Sequence, residues 1–269
     1  MKKLIPALIL CAAAGAQAAD WSDNAISYRY APSQSEPGVS DKVSKNIYNF
    51  THVSGDKLGM NLFTIDLLRS NGADPANGGV GGAQEWYGFY KRSFSMAALA
   101  GGPKGWNANV RFDMGTKNTE FAPAPRKFRP GVSYDVPVGA GFWNVGVDAY
   151  KENNHNSFSA TNKEVSFKTT WALTSAWAIP AGNGTFKGFL DIVGPKGKDG
   201  GNQDTKTETL LQATYMFNVD GPKGNLKAGF GAEYWGNKFG CDNGNTTSTN
   251  GKANSCKATT PLLLVEYHL

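Results

Sequence analysis

The stretch from Trp106 to Lys117 alternates apolar and polar side chains one residue at a time. In an extended strand, the two sets point to opposite faces. One face carries Trp106, Ala108, Val110, Phe112 and Met114, and the other carries Asn107, Asn109, Arg111, Asp113 and Lys117. Similar alternation recurs through the rest of the chain. The sequence therefore predicts an all-β fold, a transmembrane antiparallel β-barrel with an apolar outside and a polar inside.

The first eighteen residues have the layout of a secretory signal peptide. Two lysines precede a short apolar run, and an Ala-Gln-Ala sequence at 16–18 supplies a cleavage site. We therefore expect 1–18 to be a signal peptide for export through the Sec pathway and 19–269 to be the barrel. Cys11 could indicate a lipoprotein, but the bulky Leu10 before it argues against that. The net charge is +5, and +3 once Lys2 and Lys3 are removed with the signal peptide, which is too small to indicate binding to a nucleic-acid polymer.

About twelve segments have the alternation and composition of strands. They are 23–31, 46–53, 59–70, 85–96, 105–117, 128–137, 142–152, 163–179, 185–193, 205–217, 225–236 and 260–269. The spacers between them are by turns short and rich in Gly, Pro, Asp or Asn, and longer and polar. This sorting is typical of outer-membrane barrels, and a soluble sandwich has no reason to show it. An even number of strands places both termini on the short-turn side, which we expect to be periplasmic.

Aromatic residues gather near the ends of the predicted strands, as in the interfacial girdles of membrane barrels. They are Trp86, Trp106, Trp143, Trp177, Tyr215, Phe217, Tyr234 and Tyr267. Within 163–179, the alternation places Phe167, Trp171 and Leu173 on the outer face and Lys168 on the inner one. The last strand alternates as well and ends on Leu269, where such barrels usually carry an aromatic residue.

The same parity gives the residues expected to line the lumen. They are Arg29, Glu85, Tyr87, Phe89, Asn107, Asn109, Arg111, Asp113, Arg129, Asp148, Lys168, Lys187, Asp191, Glu208, Glu233 and Trp235, with Tyr150 and Phe189 among further inward aromatics. Rings beside hydrogen-bonding groups suit a flat, neutral, polar solute such as a nucleoside. The alternative is that these side chains simply fill a narrow lumen. The residues alone do not favour either solute binding or simple filling of the lumen.

The sequence gives little sign of catalysis. The histidines are scattered, which does not indicate a metal site, and we expect no cofactor. A barrel hydrolase would need a serine beside a histidine, and only His52 with Ser54 or Ser70 is worth considering. Cys241 and Cys256 flank a polar stretch and predict a disulfide that closes a loop, with a metal pair as the weaker alternative. The chain is therefore not expected to be an enzyme.

Several stretches of the chain resemble the nucleoside-specific outer-membrane channel family (Tsx-like). They are SKNIYNFTHVSGDKLGMN at 44–61, DPANGG at 74–79, GAQEWYG at 82–88, GFWNV at 141–145, YKENNHN at 150–156, GFLDIVGPKGKD at 188–199, KTETLL at 206–211, EYWGNKFG at 233–240 and the ending VEYHL. The resemblance implies a monomeric twelve-stranded barrel in the outer membrane with a narrow channel for nucleosides and deoxynucleosides. It also implies that the outer loops can serve as a phage or colicin receptor. No individual residue role is transferred by it.

The function predicted from the sequence is passive, substrate-specific uptake of nucleosides through the outer membrane. The expected partners are the transported nucleosides, the lipid and lipopolysaccharide of that membrane, and a phage or colicin at the outer loops, chiefly 237–259. A general diffusion porin for small hydrophilic solutes is the alternative, and a barrel hydrolase is a more remote one.

Overall fold

A computed structural model of the chain describes residues 19–159, 163–221, 224–244 and 256–269. The predicted signal peptide lies outside these residues. The strands are β1 Trp21–Gln34, β2 Val43–Asp56, β3 Gly59–Ser70, β4 Gln84–Ser95, β5 Trp106–Lys117, β6 Arg126–Asp135, β7 Phe142–His155, β8 Glu164–Ser166, β9 Thr170–Ala181, β10 Gly184–Val193, β11 Glu208–Asn218, β12 Leu226–Gly236 and β13 Ala258–His268. A short α-helix, α1, covers Met96–Ala100, and one turn of 3-10 helix covers Lys238–Gly240. Among the described residues, no helix is long and apolar enough to cross a membrane.

Twelve long strands close into one antiparallel barrel. Each strand pairs with the next along the chain, and β1 closes the ring against β13, with Ser27 opposite Glu266. The short strand β8 pairs only with the end of β7, so that β7 pairs with β9 along its main length. The all-β fold, the antiparallel pairing and the number of strands predicted from the sequence are confirmed.

The connections separate into two ends of the barrel. One end has mostly the shorter connections, at 57–58, 96–105, 136–141, 182–183 and between β11 and β12, together with the start of β1 and the end of β13. The other end carries the loops 35–42, 71–83, 118–125 and 194–207, together with the connection from β7 through β8 to β9 and the connection from β12 to β13. We call these the short-turn end and the long-loop end. Closure of an even number of antiparallel strands places the start of β1 and the end of β13 at the short-turn end, where the backbone N–H of Leu269 donates to the carbonyl of Asn24 at 2.8 Å.

Large apolar side chains cover the outer face of the barrel. Ile26, Tyr48, Leu67, Phe112, Met114, Leu173, Phe230, Leu263 and Val265 are all exposed there. The predicted aromatic girdle is uneven, because most of its rings lie near the short-turn end and only Trp86 and Tyr234 lie near the long-loop end. An outward apolar surface of this extent is unfavourable in water.

Part of the inner face is apolar rather than polar. Ala31, Ile47, Met216, Leu262 and Leu264 form a buried cluster inside the barrel, with Leu68 packed against it. These residues come from β1, β2, β11 and β13, so the cluster fills one side of the lumen near the closing seam. The wet interior is therefore confined to the remaining part of the cross-section.

The strand predicted at 163–179 is interrupted, which corrects the position of two side chains. The chain leaves the sheet between β8 and β9, where the N–H of Phe167 donates to the carbonyl of Glu152 and that of Lys168 to the carbonyl of Lys196. Alternation cannot hold across this break. As a result, Lys168 is exposed in a loop and does not line the lumen, and Phe167 is buried rather than outward.

Candidate solute pathway

Every other predicted lumen residue lies on the inner face. The pairing of β3, β4 and β5 places Tyr87 between Asp66 and Gly115, and Phe89 between Thr64 and Asp113. The same parity continues round the barrel through Arg29, Glu85, Asn107, Asn109, Arg111, Arg129, Asp148, Lys187, Asp191, Glu208, Glu233 and Trp235. Along each continuous strand, parity and the strand pairing give these side chains the same orientation.

Arg111 and Asp113 form the centre of one inward group. The guanidinium bonds the Asp113 carboxylate through Nε at 2.8 Å and a terminal nitrogen at 2.7 Å. It also lies 3.8 Å from the centre of the Phe89 ring. The hydroxyl of Tyr87 donates to the same carboxylate, and Lys127 donates to that hydroxyl at 3.2 Å. The rings of Phe89 and Tyr87 therefore already hold protein cations against one face.

Arg129 joins three strands of the inner wall. It bonds Asp191 on β10 through two parallel contacts at 2.7 and 2.9 Å, and its Nε contacts Asp148 on β7 at 3.2 Å. Gly131 makes room for this arrangement, because a Cβ there would lie 2.1 Å from a carboxylate oxygen of Asp148. The Arg129 side chain is almost completely buried, so the interaction acts in a medium of low dielectric constant.

A second buried pair was not found from the sequence. Lys196 lies in the loop after β10 and returns into the barrel, where its ammonium group bonds Glu152 on β7. The hydroxyl of Tyr150 donates to the same carboxylate at 2.7 Å, and the Phe167 ring lies 4.4 Å from the ammonium group. A loop lysine carries no strand periodicity, so alternation gave no signal for it.

The short-turn end has its own group of charges. Lys187 bonds Glu266, and His268 bridges Glu266 at 3.2 Å and Asp23 at 2.9 Å. Midway up the barrel, Arg29 contacts Asp66 at 2.7 Å, and Asn49 donates to Asp66 at the same distance. Inward side chains at these depths keep accessible surface, 29% for Lys187 and 24% for Asp66, so part of the lumen admits water.

Six charged residues meet at the long-loop end around the carboxylate of Glu36, and we call them the Glu36 cluster. One oxygen of Glu36 contacts Lys45 at 2.7 Å and Lys238 at 2.8 Å, and the other contacts Lys117 at 3.1 Å. Lys45 also contacts Glu85 at 3.0 Å, and Lys117 contacts Asp74 at 2.7 Å. Of these residues, only Glu85 was predicted as a site residue.

The charges of the Glu36 cluster support one another. Burial disfavours the ionised form of Glu36, but the ammonium groups of Lys238, Lys45 and Lys117 hold the pKa of its carboxyl well below the usual range. Burial lowers the pKa of Lys238, against the opposing effect of Glu36. Lys238 also donates to the carbonyl of Ser35 at 2.9 Å and lies 4.3 Å from the Trp235 ring centre.

Trp235 and Glu233 also form contacts at the long-loop end of the lumen. The indole N–H of Trp235 donates to Glu208 at 2.7 Å, and the ring packs edge-on against Phe239 at 4.8 Å. Glu233 accepts from the amide of Gln34 at 2.7 Å. The Trp235 ring is thus held between a cation, an aromatic ring and a carboxylate.

Phe189 is an inward ring in a different environment. It lies on β10 opposite Gln212, and Gln212 in turn lies opposite Glu233. Lys187 and Asp191 flank Phe189 at two residues on either side of the same face. Within the part of the chain that the structure describes, no cation or second ring packs on Phe189, and the ring is only half-buried. This patch places a half-buried aromatic ring beside the polar side chains of Gln212 and Lys187.

Cys241 and Cys256 form the predicted disulfide, with Cα atoms 5.5 Å apart. The hydrolase alternative gains no support. His52 bonds the side chain of Asn24 at 2.8 Å, while Ser70 donates to Asp74 at the other end of the barrel. Ser54 accepts from Asn61 at 3.3 Å. Neither serine contacts His52 in the described residues.

No family model and no curated protein matches the chain. Among solved structures, the translocator domain of the autotransporter NalP from Neisseria meningitidis is 12% identical, with 98% of this chain and 94% of that one covered and a TM-score of 0.46. The outer membrane protein OpdK from Pseudomonas aeruginosa is 10% identical, with 92% and 98% covered and a TM-score of 0.28. A variant of OccD1 (OprD) is 11% identical, with 93% and 96% covered and a TM-score of 0.28. Similarities this low carry no inference about activity.

Proposed function

We propose that the protein is an outer-membrane channel for passive diffusion of small polar solutes, with nucleosides as the transported class. The observation that carries the proposal is the closed barrel itself, with exposed apolar side chains outside and partly accessible charged side chains inside. A closed ring leaves no strand edge unpaired, which is the condition for strands to lie in lipid. The long loops then face outward and both termini face the periplasm.

The paired charges of the lumen favour neutral solutes. Arg111, Arg129 and Lys187 each hold a carboxylate, so the groups along the wall present polar surface with little net charge. A solute that exchanges hydrogen bonds with such groups passes through a series of weak sites. Passage driven by a concentration gradient needs no covalent step and no cofactor.

Phe189 provides the contact that points to nucleosides. Its ring can stack on a base, while Gln212 opposite it and the partly accessible ammonium group of Lys187 two residues away offer hydrogen bonds to base edges and ribose hydroxyls. Tyr87, Phe89 and Trp235 are less suited to stacking, because each already packs against a protein cation. The sequence resemblance to the nucleoside-channel family also supports this solute class.

Single-channel conductance in a planar bilayer tests the proposal. We expect uridine and thymidine to reduce the ion current in a saturable manner, and glucose, which has hydroxyls but no base, to have little effect. Phe189→Ala is expected to weaken the nucleoside block about tenfold, as the loss of one stacking contact would. Phe186→Ala is the matched control, since Phe186 is exposed on the outer face of the same strand.

Two results would count against the proposal. A large current that ignores nucleosides would indicate a general diffusion porin. Equal block in the Phe189→Ala variant and the wild type would remove Phe189 from the solute pathway.

A further inference from the structure

The Glu36 cluster crosses the lumen from one wall to the other. Lys238 lies two residues after β12, and Lys117 lies on β5. In the ring of twelve long strands, β5 is six steps from β12 in either direction, through β13, β1, β2, β3 and β4 or through β11, β10, β9, β7 and β6. Glu36, carried by the loop after β1, contacts both lysines and so bridges opposite walls.

The cluster is neutral, and Glu36 keeps it so. It contains three cations, Lys45, Lys117 and Lys238, and three anions, Glu36, Asp74 and Glu85. Loss of the Glu36 charge would leave three cations against two anions, a net charge of +1. Loss of the Lys238 charge would leave a net charge of −1.

Because the cluster is buried, its net charge acts strongly on an ion that passes through the lumen. The side chains of Glu36, Lys45 and Lys238 have at most 5% of their surface accessible. Charges buried this deeply are poorly screened by salt. The electric field of an uncompensated charge therefore extends across the lumen. Rings of fixed charge at a narrow point set the ion selectivity of pores in this way.

We propose that Glu36 is the residue that determines charge selectivity at the long-loop end, where, together with Asp74 and Glu85, it balances the charge of three lysines and so lets the channel favour neutral solutes over anions. This deepens the proposed function and rests on it. The carboxylate of Glu36 belongs to a loop, not to the barrel wall. The wall residues Lys45, Glu85 and Lys117 together with Asp74 and Lys238 would, without it, form a cationic opening that attracts anionic solutes.

Reversal potentials in a potassium chloride gradient test this inference with the full-length mature protein. We expect Glu36→Gln to raise the chloride-to-potassium permeability ratio on the order of threefold. Lys238→Met should shift the ratio in the opposite direction, because it leaves a net negative charge. The double variant Glu36→Gln with Lys238→Met should return close to the wild type. Asp41→Asn is the matched control, since Asp41 is exposed on the same loop.

Uridine monophosphate gives a second readout. Relative to uridine, its block should strengthen in the Glu36→Gln variant and not in the Asp41→Asn control. Two results would overturn the inference. An unchanged permeability ratio in Glu36→Gln would show that the charge of Glu36 does not set ion selectivity. Shifts of the same sign in both single variants would show that loop opening rather than charge controls the ratio.

The outcomes separate this inference from the proposed function. A wild-type protein whose ion current is unaffected by nucleosides would contradict the nucleoside assignment. It would leave the role of Glu36 in ion selectivity open to the same test. A conducting, nucleoside-blocked protein with an unaffected permeability ratio would contradict only the role of Glu36. A protein that conducts nothing, although folded, would overturn both.

Discussion

The carboxylate of Glu36 and the ammonium group of Lys238 are 202 residues apart in sequence and 2.8 Å apart in the structure. They connect the first long loop to the last one, inside the mouth of the barrel. Both are more than nine-tenths buried, and each has further polar partners. A buried charge that loses its partner is costly, so this pair couples the two loops to each other.

Stability should depend on pH through Glu36. Its pKa is lower in the folded protein than the unfolded value near 4.5. Its contribution is therefore fully present above pH 4.5 and is lost as the pH falls through the lower folded value. Glu36→Gln should reduce the free energy of unfolding by about 2–4 kcal/mol at pH 7, and the difference from wild type should shrink below pH 4.5. Guanidinium unfolding in detergent at pH 7 and pH 3 measures both; a difference that stays constant with pH would contradict the assignment.

Arg129 should be far less tolerant of change than a cation on the outer face. Arg129→Met leaves Asp148 and Asp191 without their shared partner, and we expect a loss of about 3–5 kcal/mol. Arg126→Gln is the control, because Arg126 and its partner Glu164 are both half-exposed. That variant should remain within about 0.5 kcal/mol of wild type. Chemical unfolding monitored by tryptophan fluorescence measures the free energy of unfolding of both variants. Equal decreases would show that Arg129 contributes no more to stability than the half-exposed Arg126.

Gly131 should resist replacement by alanine. Its added methyl group would meet Asp148 at 2.1 Å and the carbonyl of Val147 at 2.4 Å, so the sheet must shift. We expect Gly131→Ala to destabilise the barrel by about 1–3 kcal/mol. Gly139, in a turn with open space around it, provides the comparison. If thermal unfolding in detergent gave the same midpoint for both variants, the close approach of Asp148 would not be essential.

Removal of the disulfide should weaken the last long loop. Cys241 and Cys256 are 15 residues apart in sequence, and a loop of that length gains about 3 kcal/mol from its cross-link in the chain-entropy account. The backbone carbonyl of Cys256 accepts from the N–H of Lys238 at 2.8 Å, which links the disulfide to the Glu36 cluster. A Cys241→Ser, Cys256→Ser double variant should therefore unfold at lower denaturant concentration than the wild type. Equal unfolding midpoints for the two, with the wild type oxidised, would argue against this.

The strands could be predicted from the sequence because a barrel imposes a simple rule on each of them. On β5, alternation assigned Arg111 and Asp113 to the inside before any pairing was known, and their registered neighbours agree. The rule fails where the chain leaves the sheet, as at Phe167 and Lys168. It also gives no information about which inward side chains meet, since Arg129 and Asp191 are on strands three steps apart.

The long-loop end could not be predicted by the same reasoning. Glu36 and Lys238 lie in segments without periodicity, and their contact depends on how two distant loops fold into the opening. Lys196 reaches Glu152 in the same manner. The contacts of Glu36 with Lys117 and Lys238 depend on the closed ring, because closure places β5 and β12 on opposite walls of one lumen.

The bond between Leu269 and Asn24 makes the start of β1 and the end of β13 neighbours at one rim of the barrel. A short peptide linker could join them, and new ends could be cut within any long loop without removing a strand from the ring. In the membrane orientation proposed above, such permuted chains would present their ends on the opposite side of the membrane from the start of β1 and the end of β13. A reporter fused to a native end and one fused to a permuted end would then label the two sides separately, which gives a direct way to determine the orientation of the protein in a living cell.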